Sequence, residues 1–350
     1  MSSVLNLPDG IDPQALRARL VRYSELMPCT NAFIDTRTPG SDRKENFTII
    51  GPGVAENPDQ HVHIRLPHGF NIGGARQPPG CTNSQHSHRT AEVFVVQHGG
   101  FRFKTGVDGD QGSVDLGPGD VISIPTDMFR GFDTIGTETS FMFAVLGGDD
   151  PGRVLWAPYV FEQAKAHGLV LLESGRLIDT THGTGIPVDD PPVEPTSPAA
   201  AAQLATIDSD GIAMCTVHRR SLDSAQPLGP FADLPGVREI PIIGPENLAE
   251  GLPAAPLGWL HGFHLRALHL APGAQIPVHR RLEEEVILMQ SGRLVMRWAK
   301  GELLLEPGDT FTVPIGLARS FHNIDGARAE CYVVRGGDHP AAPVFEAMPR

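Results

Sequence analysis

The residues of this chain best placed to do chemistry fall in one run: Gly80, five residues, His86, Ser87, His88, three residues, Glu92, six residues, Gly99. Residues two apart on a strand project to the same face. His86 and His88 therefore point together, and Glu92 joins them where the strand or its bend preserves the phase. Two imidazoles and a carboxylate converging in an apolar setting suit Fe, Mn, Co, Ni or Zn, and two His with one carboxylate and open positions is the donor composition of non-haem Fe(II) sites. The surrounding histidines carry less. His61 and His63 can share a strand face and are expected at the mouth or surface, and His68 is expected to pack. His98 lies about 20 Å beyond Glu92 along an extended strand, too far to join. There is no Ser-His-Asp pattern, phosphate loop or nucleotide fingerprint.

The elements that must position this run come in duplicate. Ile49-Ile50-Gly51-Pro52 recurs as Ile242-Ile243-Gly244-Pro245, and His68-Gly69-Phe70 as His261-Gly262-Phe263, both at a shift of 193. At the same shift His86 meets His279, Glu92 meets Glu285 and Gly99 meets Gly292. After a hairpin shorter by four, Pro118-Gly119-Asp120 meets Pro307-Gly308-Asp309 and Arg130 meets Arg319, now at 189. An ordered series with one small gap identifies a tandem duplication. Each unit consists of short apolar or alternating runs, such as Glu92 to Gln97 and Phe141 to Leu146, separated by Gly/Asp-rich turns. That pattern predicts antiparallel sandwiches or barrels. Helix is expected from Asp12-Pro13 to about Leu26, with Asp as N-cap and Pro at the first helical position. Further helices are expected over Val160 to His167 and, shorter, from Val344 onward. The boundaries read as an N-terminal arm (1–45), a first barrel (46–168), a Pro/Ala-rich linker (169–210) and a second barrel (211–350).

Composition narrows the functional classes. Among 350 residues, 28 Lys+Arg against 41 Asp+Glu give a formal charge of −13, with no basic run. This argues against nucleic acid and anionic membrane surfaces. No stretch approaches the roughly 20 apolar residues of a membrane span, and the first residues lack a signal-peptide layout. The cysteines are scattered, without a CxxC. A cytoplasmic protein is expected.

The spacing G-x5-H-x-H-x3-E-x6-G resembles the first motif of the cupin superfamily. Gly119, Pro125, Asp127, Arg130 and Thr134 resemble its second motif, with Asp127 in place of Gly, Arg130 in place of the fourth ligand His and Thr134 in place of Asn. In the second unit Gly273, His279, Arg281, Glu285 and Gly292, then Gly308, Pro314, Gly316, Arg319 and Asn323, keep the backbone residues but place arginine at two ligand positions. The chain thus looks like a bicupin, which implies an all-β fold of two tandem double-stranded β-helix (jelly-roll) barrels with a short N-terminal helix. A guanidinium offers donors only and cannot ligate a cation, so the second site (His279, Arg281, Glu285, Arg319) is degenerate.

In the first barrel two accounts stay open. Either His86, His88 and Glu92 hold a metal while Arg130 grips an anionic substrate, or a Glu92–Arg130 ion pair has replaced the metal. The resemblance implies a metal-dependent dioxygenase, loosely like gentisate- or quercetin-cleaving enzymes, acting on a small acidic aromatic or enolic substrate. It would carry one divalent transition metal per chain, Fe(II) favoured and Mn, Ni, Co or Zn possible. Arg130 would be catalytic, and substrate would contact Arg130, Phe94, Met128, Phe132 and Phe143. A cupin-type isomerase or decarboxylase is the first alternative; a non-catalytic bicupin binding a small anion is the second. Edge strands that need covering and the arm outside both repeats suggest a homodimer.

Overall fold

In the computed structural model, which describes residues 11–346, the chain divides into two units. One comprises residues 27–219. The other comprises 220–346 together with 11–26. Each is an antiparallel jelly roll of two facing sheets, the fold of a cupin barrel.

In the first unit, a seven-stranded sheet runs in the order Thr216–Val217, Val121–Ile124, Glu92–His98, Ser140–Gly147, Phe70–Gln77, Glu45–Ile50, Val62–Ile64. The facing sheet runs Leu155–Trp156, Thr82–Ser87, Arg130–Ile135, Gly100–Thr105, Gly112–Leu116. The apolar residues of both sheets meet in a core that includes Phe94, Phe101, Phe103, Ile122, Met128, Phe132 and Met142. Glycine makes the tight turns between strands possible. Gly99 has φ +75°, and a Cβ there would stand 2.0 Å from Ser140 Oγ; only glycine meets both demands.

The second unit repeats the plan. Its larger sheet runs Leu20–Val21, Thr310–Val313, Glu285–Ser291, Ala329–Gly336, Phe263–Leu270, Val237–Ile243. Its smaller sheet runs Gly301–Leu305, Leu294–Trp298, Arg319–Asn323, Gln275–Arg280, Val344–Phe345.

Three expectations about chain boundaries need correcting. First, the N-terminal arm is not one body. Residues 11–26 belong to the second barrel, where Leu20 pairs with Phe311 and Leu16 enters the core, while 27–45 belong to the first. Likewise 211–219 joins the first barrel: Thr216 pairs with Ile122, and Ile212 packs against that core. Second, the stretch read as linker opens with a hairpin, Leu169–Leu171 with Leu177–Asp179, in which Leu169, Leu171 and Ile178 are buried. Within 183–202 the regular structure is one short helix, Pro198–Ala201. Third, Val344–Phe345 is a strand paired with Gln275–Arg280, not the start of a helix. The N-terminal helix is capped by Asp12 as expected, but it spans only Pro13–Arg17 before the chain turns into the sheet.

Candidate metal centre

Strand Thr82–Ser87 carries His86, His88 follows directly, and strand Glu92–His98 brings Glu92 across from the other sheet. All three side chains are buried, and one ligand atom from each lies within 4.8 Å of the others. His86 Nδ1 lies 2.7 Å from the Ser84 carbonyl, an acceptor only, so Nδ1 carries the proton. Burial, reinforced by the charge of Arg130, holds the pKa of His86 and His88 well below the ordinary histidine value. Both rings are therefore neutral, and His86 Nε2 has a free lone pair. Second-sphere fixing of one ring nitrogen by a carbonyl is the usual preparation of a histidine for a metal. The Nδ1 of His88 is buried without a hydrogen-bond partner.

Arg130 belongs to this site and makes the ion pair with Glu92 that one of the two accounts expected. It pairs with His86 along the sheet, is 1% exposed, and sends Nη2 to Glu92 Oε2 at 2.5 Å. Its Nη1 faces the carbonyls of His86 and Met128 at 3.5 and 3.4 Å. The other Glu92 oxygen, Oε1, stands 3.6 Å from His88 Nε2. One carboxylate thus serves the guanidinium with one oxygen and faces the imidazoles with the other. The ligand set and the ion pair coexist. The donor chemistry fits a divalent transition metal at His86, His88 and Glu92, with Arg130 as the residue that orients Glu92.

These three side chains line a chamber of about 80 Å³, walled also by Phe94, Phe132 and Trp156. Outside it lies a wider vestibule of about 660 Å³, which shares Val54, His88 and Val154 with the chamber. Of the residues expected to contact substrate, Phe94 and Phe132 line the chamber, whereas Arg130, Met128 and Phe143 do not. Strand parity accounts for Phe143. Ala144 and Leu146 face the chamber, so Phe143 lies on the opposite face, against Phe141. Met128 is fully buried in the core.

Among the outer histidines, His63 hydrogen-bonds between the Thr48 carbonyl and the Met27 N–H. His61 packs on His63 edge to face. Trp156 was missed in the sequence. It sits opposite His86 in the sheet with ring centroids 5.4 Å apart, and its counterpart at shift 189, Phe345, sits opposite His279. That recurrence continues the series at shift 189 and was the available signal.

The second barrel shows what happens when the second histidine position is arginine. Arg319 repeats Arg130: Nη2 to Glu285 Oε1 at 2.5 Å and Nη1 toward the His279 and Leu317 carbonyls. Arg281 adds Nε at 3.3 Å from Glu285 and Nη1 at 2.8 Å from Glu250. Glu250 also meets Arg266 and Arg335, and Arg266 meets Glu239. Burial works to raise the Glu285 pKa, but Arg319 and Arg281 outweigh it and hold it at about 2. The cavity left at this site is about 10 Å³, room for about one water. His279 Nε2 points into this barrel without a partner. A self-neutralised network occupies the place of a metal.

Two tandem jelly rolls, one enclosing a His-His-Glu cluster, give the chain the fold of a bicupin. The family described as Cupin domain matches residues 267–335, within the second barrel. Among solved structures, the oxalate decarboxylase of Lactobacillus farciminis in its formate complex aligns with TM-score 0.54 and 12% identity, covering 99% of this chain and 90% of that one. The oxalate decarboxylase of Bacillus subtilis at pH 4.6 aligns with TM-score 0.52 and 13% identity, covering 93% and 78%. At this identity the likeness is one of fold. No curated protein matches the sequence.

Proposed function

We propose that the first barrel is a metal-dependent active site that decarboxylates a small carboxylic acid, with His86, His88 and Glu92 holding one divalent transition metal. The observation that carries this reading is the convergence of three buried ligand atoms within 4.8 Å at the wall of one chamber. When bound, the metal would supply Lewis acidity toward a carboxylate oxygen. The chain's own residues do the rest. Ser84 fixes the His86 ring, Arg130 fixes Glu92, and Phe94, Phe132 and Trp156 keep the chamber apolar, which strengthens electrostatic contacts inside it. A chamber of about 80 Å³ has room for the equivalent of about three waters at liquid density. That favours a compact acid over an aromatic ring accompanied by O2, and so favours the decarboxylase over the dioxygenase. The fold shared with two oxalate decarboxylases points the same way.

The test is loading with Fe(II), Mn(II), Co(II), Ni(II) or Zn(II) in turn, starting from Fe(II), followed by assay of a panel of short 2-oxo and dicarboxylic acids without oxygen. We expect one equivalent of metal and CO2 release under anaerobic conditions. Oxygen uptake matching substrate loss would restore the dioxygenase. Acid binding by a protein that takes up none of the metals would replace the enzyme with an anion-binding protein.

A further inference from the structure

Two asparagines aim unused hydrogen-bond donors into the first chamber. Asn83 lines it and is 7% exposed. Its Oδ1 accepts from Lys44 Nζ at 3.1 Å. An ammonium only donates, so the amide is locked with its NH2 turned away from Lys44. The neighbour of that NH2 is His86 Nδ1 at 3.4 Å, but Nδ1 already carries the proton it gives to Ser84. Donor meets donor there, and the Asn83 NH2 gains no acceptor from the protein. Asn46 also lines the chamber, from strand Glu45–Ile50 opposite Ala75, and its Nδ2 is buried with no partner. A buried polar group without a partner is costly, so two in one cavity call for a ligand that accepts.

The anchoring of Asn83 is itself built in. Lys44 and Asp35 form a fully buried ion pair, Asp35 Oδ2 accepts from the Ser84 N–H at 3.2 Å, and the Lys44 ammonium lies 5.4 and 5.9 Å from the Phe33 and Trp156 ring centroids. None of this is shared by the second barrel. At shift 193 the partners of Asp35, Lys44 and Asn83 are Leu228, Val237 and Ile276. The partner of Asn46 is Glu239, which binds Arg266 at 2.6 Å. The two donors occur only in the barrel that has the His-His-Glu cluster.

We propose that Asn46 and Asn83 form the substrate-recognition cradle of the first barrel, donating to oxygens of a compact 2-oxo or dicarboxylic acid whose other end faces His86, His88 and Glu92. This rests on the reading of the first barrel as a small-acid site. The cradle uses neutral amide donors, so it binds the acid without placing another cation beside the ligand cluster. Lys44 acts through Asn83 as a positioning residue.

The experiment titrates malonate and pyruvate, by calorimetry, into metal-loaded wild type, Asn83→Asp, Asn46→Asp and Asn46→Ser, with metal content measured on each sample. Asn83→Asp keeps the Lys44 contact but exchanges the donor for an acceptor and adds a negative charge, which the neutral Asn46→Ser does not. Affinity for both acids should fall at least tenfold in each variant while metal content stays at the wild-type level. Affinities within twofold of wild type in the folded variants, or no acid binding by the loaded wild type, would overturn the cradle. If the wild type takes up no metal but binds acid, and the variants lose it, the cradle stands and the metal-dependent reading falls. If Asn83→Asp fails to fold, the two Asn46 variants decide.

Discussion

Arg130 is the residue on which the two accounts of the first barrel meet. Its guanidinium takes one oxygen of Glu92 and leaves the other facing His88. Removing the cation would leave a buried carboxylate unpaired, at a cost of about 3–5 kcal/mol. We therefore expect Arg130→Met to lower the melting temperature of the metal-free protein sharply and to recover more than wild type when metal is added; differential scanning calorimetry with and without metal reads this. Because Arg130 does not line the chamber, Arg130→Lys should leave acid affinity within about twofold of wild type, where losing a charge-assisted bidentate contact to substrate would cost roughly 1.5–3 kcal/mol.

A second residue-scale prediction concerns His279. Burial, with Arg319 beside it, lowers its pKa from 6.5 to about 3. The unfolded chain takes up a proton below about pH 6.5 that the native ring refuses. Its contribution to stability is thus fully present above pH 6.5 and is lost as the pH falls toward 3. His279→Leu should flatten the decline of denaturation midpoint between pH 6.5 and 4, a slope to which His264, lowered to about 4, also contributes. At this scale the ligand cluster was legible because strand parity and motif spacing act over a few residues. Phe143 was not, because its face depends on the register of a strand fifty residues later. Asn46 and Asn83 were invisible, because an asparagine in a strand carries no motif and its meaning comes from Lys44 and His86.

The elements show an exchange of arms. Each repeat is preceded by a short Asp-capped helix and a two-residue strand, Pro13–Arg17 with Leu20–Val21 and Ser209–Met214 with Thr216–Val217. Each arm pairs with the barrel other than the repeat it precedes: Leu20–Val21 with Thr310–Val313, and Thr216–Val217 with Val121–Ile124. Both arms cover an edge that would otherwise present unpaired backbone groups. Ile212 and Leu16 are the fully buried anchors. Truncating a buried Leu or Ile to Ala costs about 2–5 kcal/mol. Hydrogen exchange followed by mass spectrometry should place the effect of Ile212→Ala in strands 92–98 and 121–124, and that of Leu16→Ala in 285–291 and 310–313. The reverse assignment would refute the exchange. Strands and turns were legible from alternation and Gly/Asp spacing, but local sequence holds nothing about which edge an arm will cover, so the N-terminal arm was left outside both barrels and 211–219 was placed in the wrong one.

At the scale of the whole molecule, duplication has left one barrel with a chamber and the other with a packed ionic core. Four arginines and four glutamates, Arg266, Arg281, Arg319 and Arg335 with Glu239, Glu250, Glu283 and Glu285, neutralise one another in the second barrel. Only the first barrel should therefore gain stability from metal. At a free metal concentration of 100 Kd the gain is about 2.7 kcal/mol, or roughly 5–10 °C for a unit of this size. Calorimetry should show one transition moving and one fixed.

The same comparison identifies how little separates the barrels. His279 already offers a free Nε2, and Glu285 is already held by Arg319 as Glu92 is by Arg130. The remaining obstacle is Arg281, which adds a cation and fills space. Replacing it leaves Glu250 still paired with Arg266 and Arg335, so no buried carboxylate is stranded. Arg281→His should accordingly raise the bound transition metal from one to two equivalents per chain by elemental analysis, with the second equivalent lost again on His279→Ala. A variant that folds and stays at one equivalent would show that the second barrel excludes metal through more than the charge and bulk of Arg281.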